Sequence, residues 1–79
     1  MDLESSFQAI IDTHLEQALQ SIIAANPGQK VVGAWLCIKI MDRLGVVGED
    51  YMKVIFTFLR SHPQLQTSYR RGWRYYTLP

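Results

Sequence analysis

The 79-residue chain has one cysteine, no long apolar run and no acidic residue after Asp50. The single Cys37 excludes an intramolecular disulfide and a zinc site built on several cysteines, and it indicates a reducing compartment. No stretch approaches the roughly 18 consecutive apolar residues of a membrane span. Asp2 and Glu4 stand where a signal peptide is basic. These absences predict a cytoplasmic protein with no membrane partner.

Motifs for catalysis or metal binding are also scarce. The length allows one domain, residues 1–79, and is too short for a doubly wound nucleotide-binding domain or a barrel enzyme. Neither His14 nor His62 has a Cys or Glu at metal-ligand spacing. The segment Pro27-Gly28-Gln29-Lys30 lacks the spacing of a phosphate-binding loop. We therefore expect no enzyme activity, no metal and no cofactor.

The charges are divided between the two ends of the chain. Residues 1–50 contain seven acids against three bases, a balance of −4, whereas residues 51–79 contain five bases and no acid. Each Lys or Arg that meets a phosphate releases condensed counterions, so the basic end suits a polyanion. The alternative is a basic tail that binds nothing.

Helical periodicity predicts three helices, at about 3–25, 31–44 and 49–61. Asn26-Pro27-Gly28, Gly45 and His62-Pro63 end them. Lys30–Val32 fits a short strand equally well. In the first helix the apolar stripe includes His14, which we expect in the core or at its boundary, together with Phe7, Ile10, Ile11, Leu15, Ala18, Leu19 and Ile22. The third helix is expected to bury Tyr51, Met52, Val54, Ile55, Phe58 and Leu59.

After Gln64 the pattern changes to β-branched and aromatic residues, which predicts a hairpin at about 65–78 with its turn at Arg71-Gly72. Tyr76 and Leu78 fall on one face of the second strand. Trp73, Tyr75 and Thr77 fall on the other. A lone hairpin is barely stable in water, so it must pack on the helices. The predicted fold class is mainly α with a C-terminal β-hairpin.

The order of helices, tight turn, helix and hairpin resembles a winged helix-turn-helix domain. In the run from Asp42 to Asp50, Gly45 permits the left-handed residue that ends one helix and Val46 fills the angle before the next. The segment from Arg70 to Leu78 resembles the wing of PadR-like and MarR-like transcriptional regulators. The resemblance covers about residues 31–78. The third helix departs from it by opening with Glu49 and Asp50, where DNA readers more often have Ser, Thr or a base.

This resemblance implies a small protein that binds double-stranded DNA as a transcriptional regulator or accessory factor. The third helix would enter the major groove and present Lys53, Thr57 and Arg60. The wing would bring Arg70, Arg71 and Arg74 to phosphates or a minor groove. The alternatives are an ordinary solvated helix face and a hairpin edge that carries charge against aggregation.

Apolar residues outside the predicted core suggest a second set of hypotheses. Val32 and Trp35 fall on the polar face of the second helix, so the first helix or the hairpin covers them, or together with Trp73 they form an interface for a homodimer or a protein partner. A winged helix that binds protein instead of DNA is the alternative function. A third hypothesis has Trp73 and Tyr75 stack on unpaired bases, although packing of their rings on the third helix is the expectation.

Overall fold

A computed structural model describes the backbone of residues 3–79 and the side chains of residues 11–79. The described chain has three helices and a three-stranded antiparallel sheet in the order β1-β3-β2. This confirms a mainly α fold with a C-terminal hairpin. The elements in chain order are α1 (Leu3–Ala25), β1 (Lys30–Val32), α2 (Gly33–Leu44), α3 (Glu49–Arg60), β2 (Gln66–Arg70) and β3 (Trp73–Thr77).

The apolar stripe of α1 packs into the core from Leu15 onward, where Leu15, Ala18, Leu19 and Ile22 are all buried. The predicted stripe members Phe7 and Ile10 lie outside the described side chains. His14, which was expected in the core or at its boundary, is exposed and therefore does not lie in the core. It lies on the rim of a groove that α1 shares with α3.

The segment Lys30–Val32 is a strand, and α2 begins only at Gly33. Val31 pairs with Tyr76 and Val32 with Tyr75 in the antiparallel ladder with β3. Val32 therefore belongs to a strand and not to α2. This explains why a helical projection of α2 wrongly places this apolar residue on the polar face. From Gly33 onward α2 buries Leu36, Cys37 and Ile40.

The junction between α2 and α3 follows the predicted turn chemistry. Gly45 adopts φ 68° and ψ 33°, and its N–H donates to the Asp42 carbonyl at 3.3 Å. Val46 is half-buried, and its N–H donates to the Met41 carbonyl at 3.1 Å. The next residue, Val47, is 84% exposed. The left-handed Gly45 is thus confirmed, and the packing of Val46 in the angle between the helices stays a prediction.

The buried face of α3 is narrower than its periodicity predicts. Ile55 and Leu59 are buried, but Tyr51 is 50% exposed and Val54 42%. A cavity of about 350 Å³ lies between this part of α3 and α1. We call it the apolar groove, lined by Ile11, His14, Leu15, Leu44, Val46, Tyr51, Val54 and Ile55.

The hairpin forms with the predicted turn. Arg71 and Gly72 both have positive φ, 53° and 82°, between the paired residues Arg70 and Trp73. Two consecutive positive φ values define a type I′ turn, whose twist matches that of the strands. Tyr76 is fully buried, which fixes the inner face of the sheet against the helices.

Alternation along β3 places Trp73, Tyr75 and Thr77 on the outer face of the sheet, opposite Tyr76. Trp73 is 60% exposed and Tyr75 is half-buried. Neither ring is among the side chains packed on the core, although Trp73 lines a cavity together with Phe56 and Arg60 of α3. The inner face of the sheet already packs on the helices through Tyr76 and Leu78, which are 0% and 1% exposed.

A polar contact that the periodicity did not predict ties α1 to the chain after α3. His62 Nε2 lies 2.8 Å from Glu16 Oε2, and the His62 ring meets Phe58 edge to face at 5.4 Å between centroids. Beside it, Gln20 Nε2 donates to Gln64 Oε1 at 2.8 Å. These contacts fix the angle at which the chain leaves α3 for β2.

Candidate nucleic-acid interface

A cavity of about 310 Å³ opens between the hairpin, the start of α2 and the second half of α3. We call it the hairpin groove. It brings together Arg60 from α3 and Arg74 from β3, two of the predicted DNA-contacting residues. Its described walls include no acidic side chain and are formed by Val32, Gly33, Ala34, Phe56, Arg60, Tyr69, Gly72, Trp73 and Arg74.

Arg74 is held in place by its cross-strand neighbour Tyr69. Its Nε and Nη2 donate to the Tyr69 hydroxyl at 3.1 and 2.8 Å, and the guanidinium lies 5.3 Å from the centroid of the Tyr69 ring. The nearby hydroxyls of Tyr76 and Tyr69 raise the pKa of Arg74, although only Tyr69 meets hydrogen-bond geometry. The Nη1 group stays free to donate to an external acceptor.

The other three arginines are exposed and make no hydrogen bond or ion pair within the described part of the chain. Arg60 lies in the last turn of α3, where the helix dipole favours a cation. Arg70 ends β2, and Arg71 forms the turn. Three unpaired guanidinium groups therefore lie on the hairpin and the adjoining end of α3.

Lys53 and Thr57 lie in a different groove, between α1 and α3, with a volume of about 790 Å³. We call it the acidic groove, because Asp12 and Glu16 line its α1 side. The Thr57 hydroxyl donates to the Lys53 carbonyl at 2.9 Å. A phosphate that reached Lys53 would also meet these carboxylates. The three predicted residues thus share one face of α3 at i, i+4 and i+7, but Lys53 and Thr57 line the acidic groove and Arg60 lines the hairpin groove.

The three residues of the interface hypothesis have different environments. Val32 is half-buried and lines the hairpin groove, and Trp73 is exposed at its edge. Trp35 is half-buried against the core, with Lys39 Nζ 5.7 Å from its ring centroid. The burial of Trp35 is thus explained within the chain, and a homodimer or protein partner at these residues stays a prediction.

Sequence reasoning missed Lys30 as a member of this region. Its Nζ lies 5.5 Å from the centroid of the Tyr75 ring on the outer face of the sheet. The alternative prediction of a strand at Lys30–Val32 could have identified this residue. A strand that pairs antiparallel with the hairpin brings Lys30 beside the aromatic residues of β3.

Among the described residues, no three His, Cys, Asp or Glu side chains form a group that could hold a metal ion. No helix in the same part of the chain combines the length and apolarity needed to cross a bilayer. Comparison with protein-family models, curated proteins and solved structures finds no match for this chain.

Proposed function

We propose that the protein is a small winged-helix domain that binds the phosphates of duplex DNA through the hairpin and the adjoining end of α3, as a transcriptional regulator or accessory factor. The order of elements is compatible with the winged-helix topology. β1 lies between α1 and α2 and pairs with β3 of the hairpin, which adds support for this topology. The sequence alone left open whether Lys30–Val32 is a strand.

The observation that carries the proposal is the set of arginines around the hairpin groove. Arg60, Arg70 and Arg71 have no partner in the described chain, and Arg74 is oriented by a neutral hydroxyl instead of a carboxylate. Unpaired guanidinium groups release counterions when they meet phosphate, whereas paired ones must first lose an ion pair. The hairpin region is therefore suited to a polyanion.

In the proposed mechanism these residues have separate roles. Arg74, restrained by Tyr69, fixes the position of one phosphate. Arg70 and Arg71 at the tip reach further phosphates or a narrow minor groove, and Arg60 supplies a contact from α3. Base readout by Lys53 and Thr57 stays a prediction, and the acids beside them oppose close approach of a phosphate.

The proposal is tested by fluorescence anisotropy with a labelled 20-base-pair random duplex over a series of salt concentrations. Four phosphate contacts give a log–log slope of about −3 to −4. The variant Arg60→Gln/Arg74→Gln is expected to reduce the slope by about 2. Arg43→Gln is the matched control, because Arg43 bonds Ser21 near the opposite end of α2.

Circular dichroism establishes that each variant is folded. A slope that stays unchanged when all four hairpin-region arginines are replaced by Gln would remove these residues from the mechanism. The double variant removes two charges and the Arg43→Gln control removes one, so a control loss half that of the double variant would mean that only total charge matters.

A protein-binding module is the second candidate function. It is favoured by the exposed apolar side chains of Tyr51 and Val54 beside the exposed acids Glu49 and Asp50. Under this alternative, the folded protein shows no binding to random duplexes at low salt. Sizing over a range of protein concentrations tests the predicted homodimer.

A further inference from the structure

We propose that the outer face of the sheet is a stacking site for unpaired bases of single-stranded nucleic acid. This site shares Trp73 with the edge of the hairpin groove but lies on the opposite face of the sheet from Arg74 and Tyr76, and it does not depend on duplex binding. It consists of Trp73 and Tyr75 from β3, with Lys30 from β1 and Arg70 from β2 on either side.

The strand register assembles these residues from three segments of the chain. Arg70 lies directly across from Trp73, and Tyr75 lies between Val32 and Ser68 in the next row. Lys30 pairs with Thr77 in the row after that, and its ammonium reaches back to the Tyr75 ring at 5.5 Å. Because paired residues share a face, the rings and both cations lie on the same side of the sheet.

The exposed aromatic surface is the first argument for the ligand. Trp73 is 60% exposed, although an indole ring is usually well covered in a folded protein. Trp73 and Tyr75 are two residues apart on one strand, about 7 Å. This is roughly twice the 3.4 Å spacing of stacked bases, so the two rings suit bases that are splayed apart on a sheet surface.

Charge is the second argument, and it favours a nucleic acid over an apolar protein segment. The strands that carry the rings contain no acidic residue, and cations flank both rings. Lys30 has a flexible stem, so its ammonium is able to move from the Tyr75 ring to a phosphate when a base arrives. Rings that stack bases next to cations that track the backbone are the two components of single-strand binding.

Intrinsic fluorescence gives a direct test. The chain has two tryptophans, so Trp35→Phe leaves Trp73 as the only indole. Titration with a 12-nucleotide oligo(dT) is expected to quench this fluorescence. A 12-residue abasic oligomer has the same phosphates and no bases, and it is expected to bind about 5- to 150-fold more weakly for each base that stacks.

Trp73→Ala and Tyr75→Ala are each expected to lose a similar factor in oligo(dT) affinity. Tyr75 does not line the hairpin groove, so Tyr75→Ala is expected to change the affinity for random duplex by less than about twofold. Tyr51→Ala is the matched control, since Tyr51 is an exposed aromatic residue on α3. The same titration with a 12-nucleotide oligo(rU) compares the affinity for RNA with that for DNA. Equal binding of both oligomers supports a site for any single strand, and a preference for one assigns the site to RNA or to DNA.

Equal affinity for oligo(dT) and the abasic oligomer, without quenching, would overturn the proposal. So would a Trp73→Ala protein that binds oligo(dT) as the native protein does. If Trp73→Ala instead converts a dimer to a monomer, a second copy occupies the face and the proposal fails. Arg60→Gln/Arg74→Gln is expected to weaken duplex binding and to leave the oligo(dT) quenching intact. Failure of the stacking proposal is thus distinguished from failure of the duplex-binding proposal.

Discussion

Arg71 occupies a left-handed backbone conformation, with φ 53°, at the first central position of the hairpin turn. This region is unfavourable for most L residues and much less so for Asn, which type I′ turns prefer. We predict that Arg71→Asn raises the free energy of unfolding by about 0.5–1 kcal/mol, measured by urea denaturation. The same variant is expected to reduce the duplex salt slope by about 0.9, because one phosphate contact is lost.

Arg70→Asn controls for the charge in this experiment. It removes the same charge from a regular strand position, where Asn has poor β propensity, so no gain in stability is expected. If Arg71→Asn were less stable than the native protein, the Arg71 side chain would make stabilising contacts that outweigh the relief of backbone strain.

Cys37 is fully buried, and burial raises the pKa of its thiol. The folded protein therefore holds this proton more tightly than the unfolded chain does. The resulting contribution to stability is complete at neutral pH and is lost as the pH rises above the ordinary thiol value. We predict that the stability difference between the native protein and Cys37→Ala shrinks between about pH 8 and pH 10, as measured by urea unfolding.

Alkylation provides an independent reading of the same residue. Iodoacetamide is expected to modify Cys37 in urea much faster than in the folded protein, because the thiolate is the reactive species and the folded site disfavours it. Equal rates at pH 8 in the two states would contradict the burial of the thiol.

At single residues, prediction from sequence succeeded where the signal is local. The left-handed Gly45 and the Arg71-Gly72 turn follow from residue types whose backbone preferences act within a few positions. The contacts between Glu16 and His62 join residues that are distant in the chain, and nothing in their local sequence identifies a partner. The same limit applied to His14, whose exposure depends on where α3 lies.

At the scale of elements, the junction of β1 and α2 depends on one small residue. A Cβ on Gly33 would lie 3.2 Å from Cε2 of Tyr76 and 3.5 Å from the Arg74 carbonyl oxygen. The Tyr76 ring is fully buried and has little room to move. We predict that Gly33→Ala lowers the free energy of unfolding by about 1–3 kcal/mol, in spite of the better helix propensity of Ala.

Thermal or urea unfolding measures this effect, and Lys39→Ala on the exposed side of α2 is the control. The control is expected to stay within about 0.5 kcal/mol of the native protein. A Gly33→Ala protein as stable as the native one would mean that the sheet shifts away from α2 at little cost.

The positions of the helices were predicted better than the surfaces that pack against them. Periodicity located all three helices, but in α3 it identified an apolar face without identifying what packs on it. Tyr51 and Val54 are exposed and line the apolar groove beside α1. For Lys30–Val32, three residues are too few to separate strand from helix by periodicity, and only pairing with β3 decides between them.

For the whole molecule, the division of charge along the sequence becomes a division along α3. Glu49 and Asp50 open this helix, and Arg60 completes it at the hairpin groove. The acids of α1 do not follow this division, because Glu16 contacts His62, two residues after Arg60. The sequence indicated an acidic and a basic half, but it did not show which of their charges lie side by side.

This arrangement predicts which end of α3 approaches DNA. Glu49 and Arg60 are separated by about 16 Å along the helix axis, roughly two Debye lengths at physiological ionic strength. If the duplex meets the hairpin and the Arg60 end, neutralising the acids in Glu49→Gln/Asp50→Asn changes duplex affinity at 0.15 M salt by less than about threefold, because screening separates the two sites. Anisotropy titration of this variant against the native protein measures the change. If the N-terminal end of α3 entered the major groove instead, both carboxylates would face phosphates, and their removal would strengthen binding about tenfold or more.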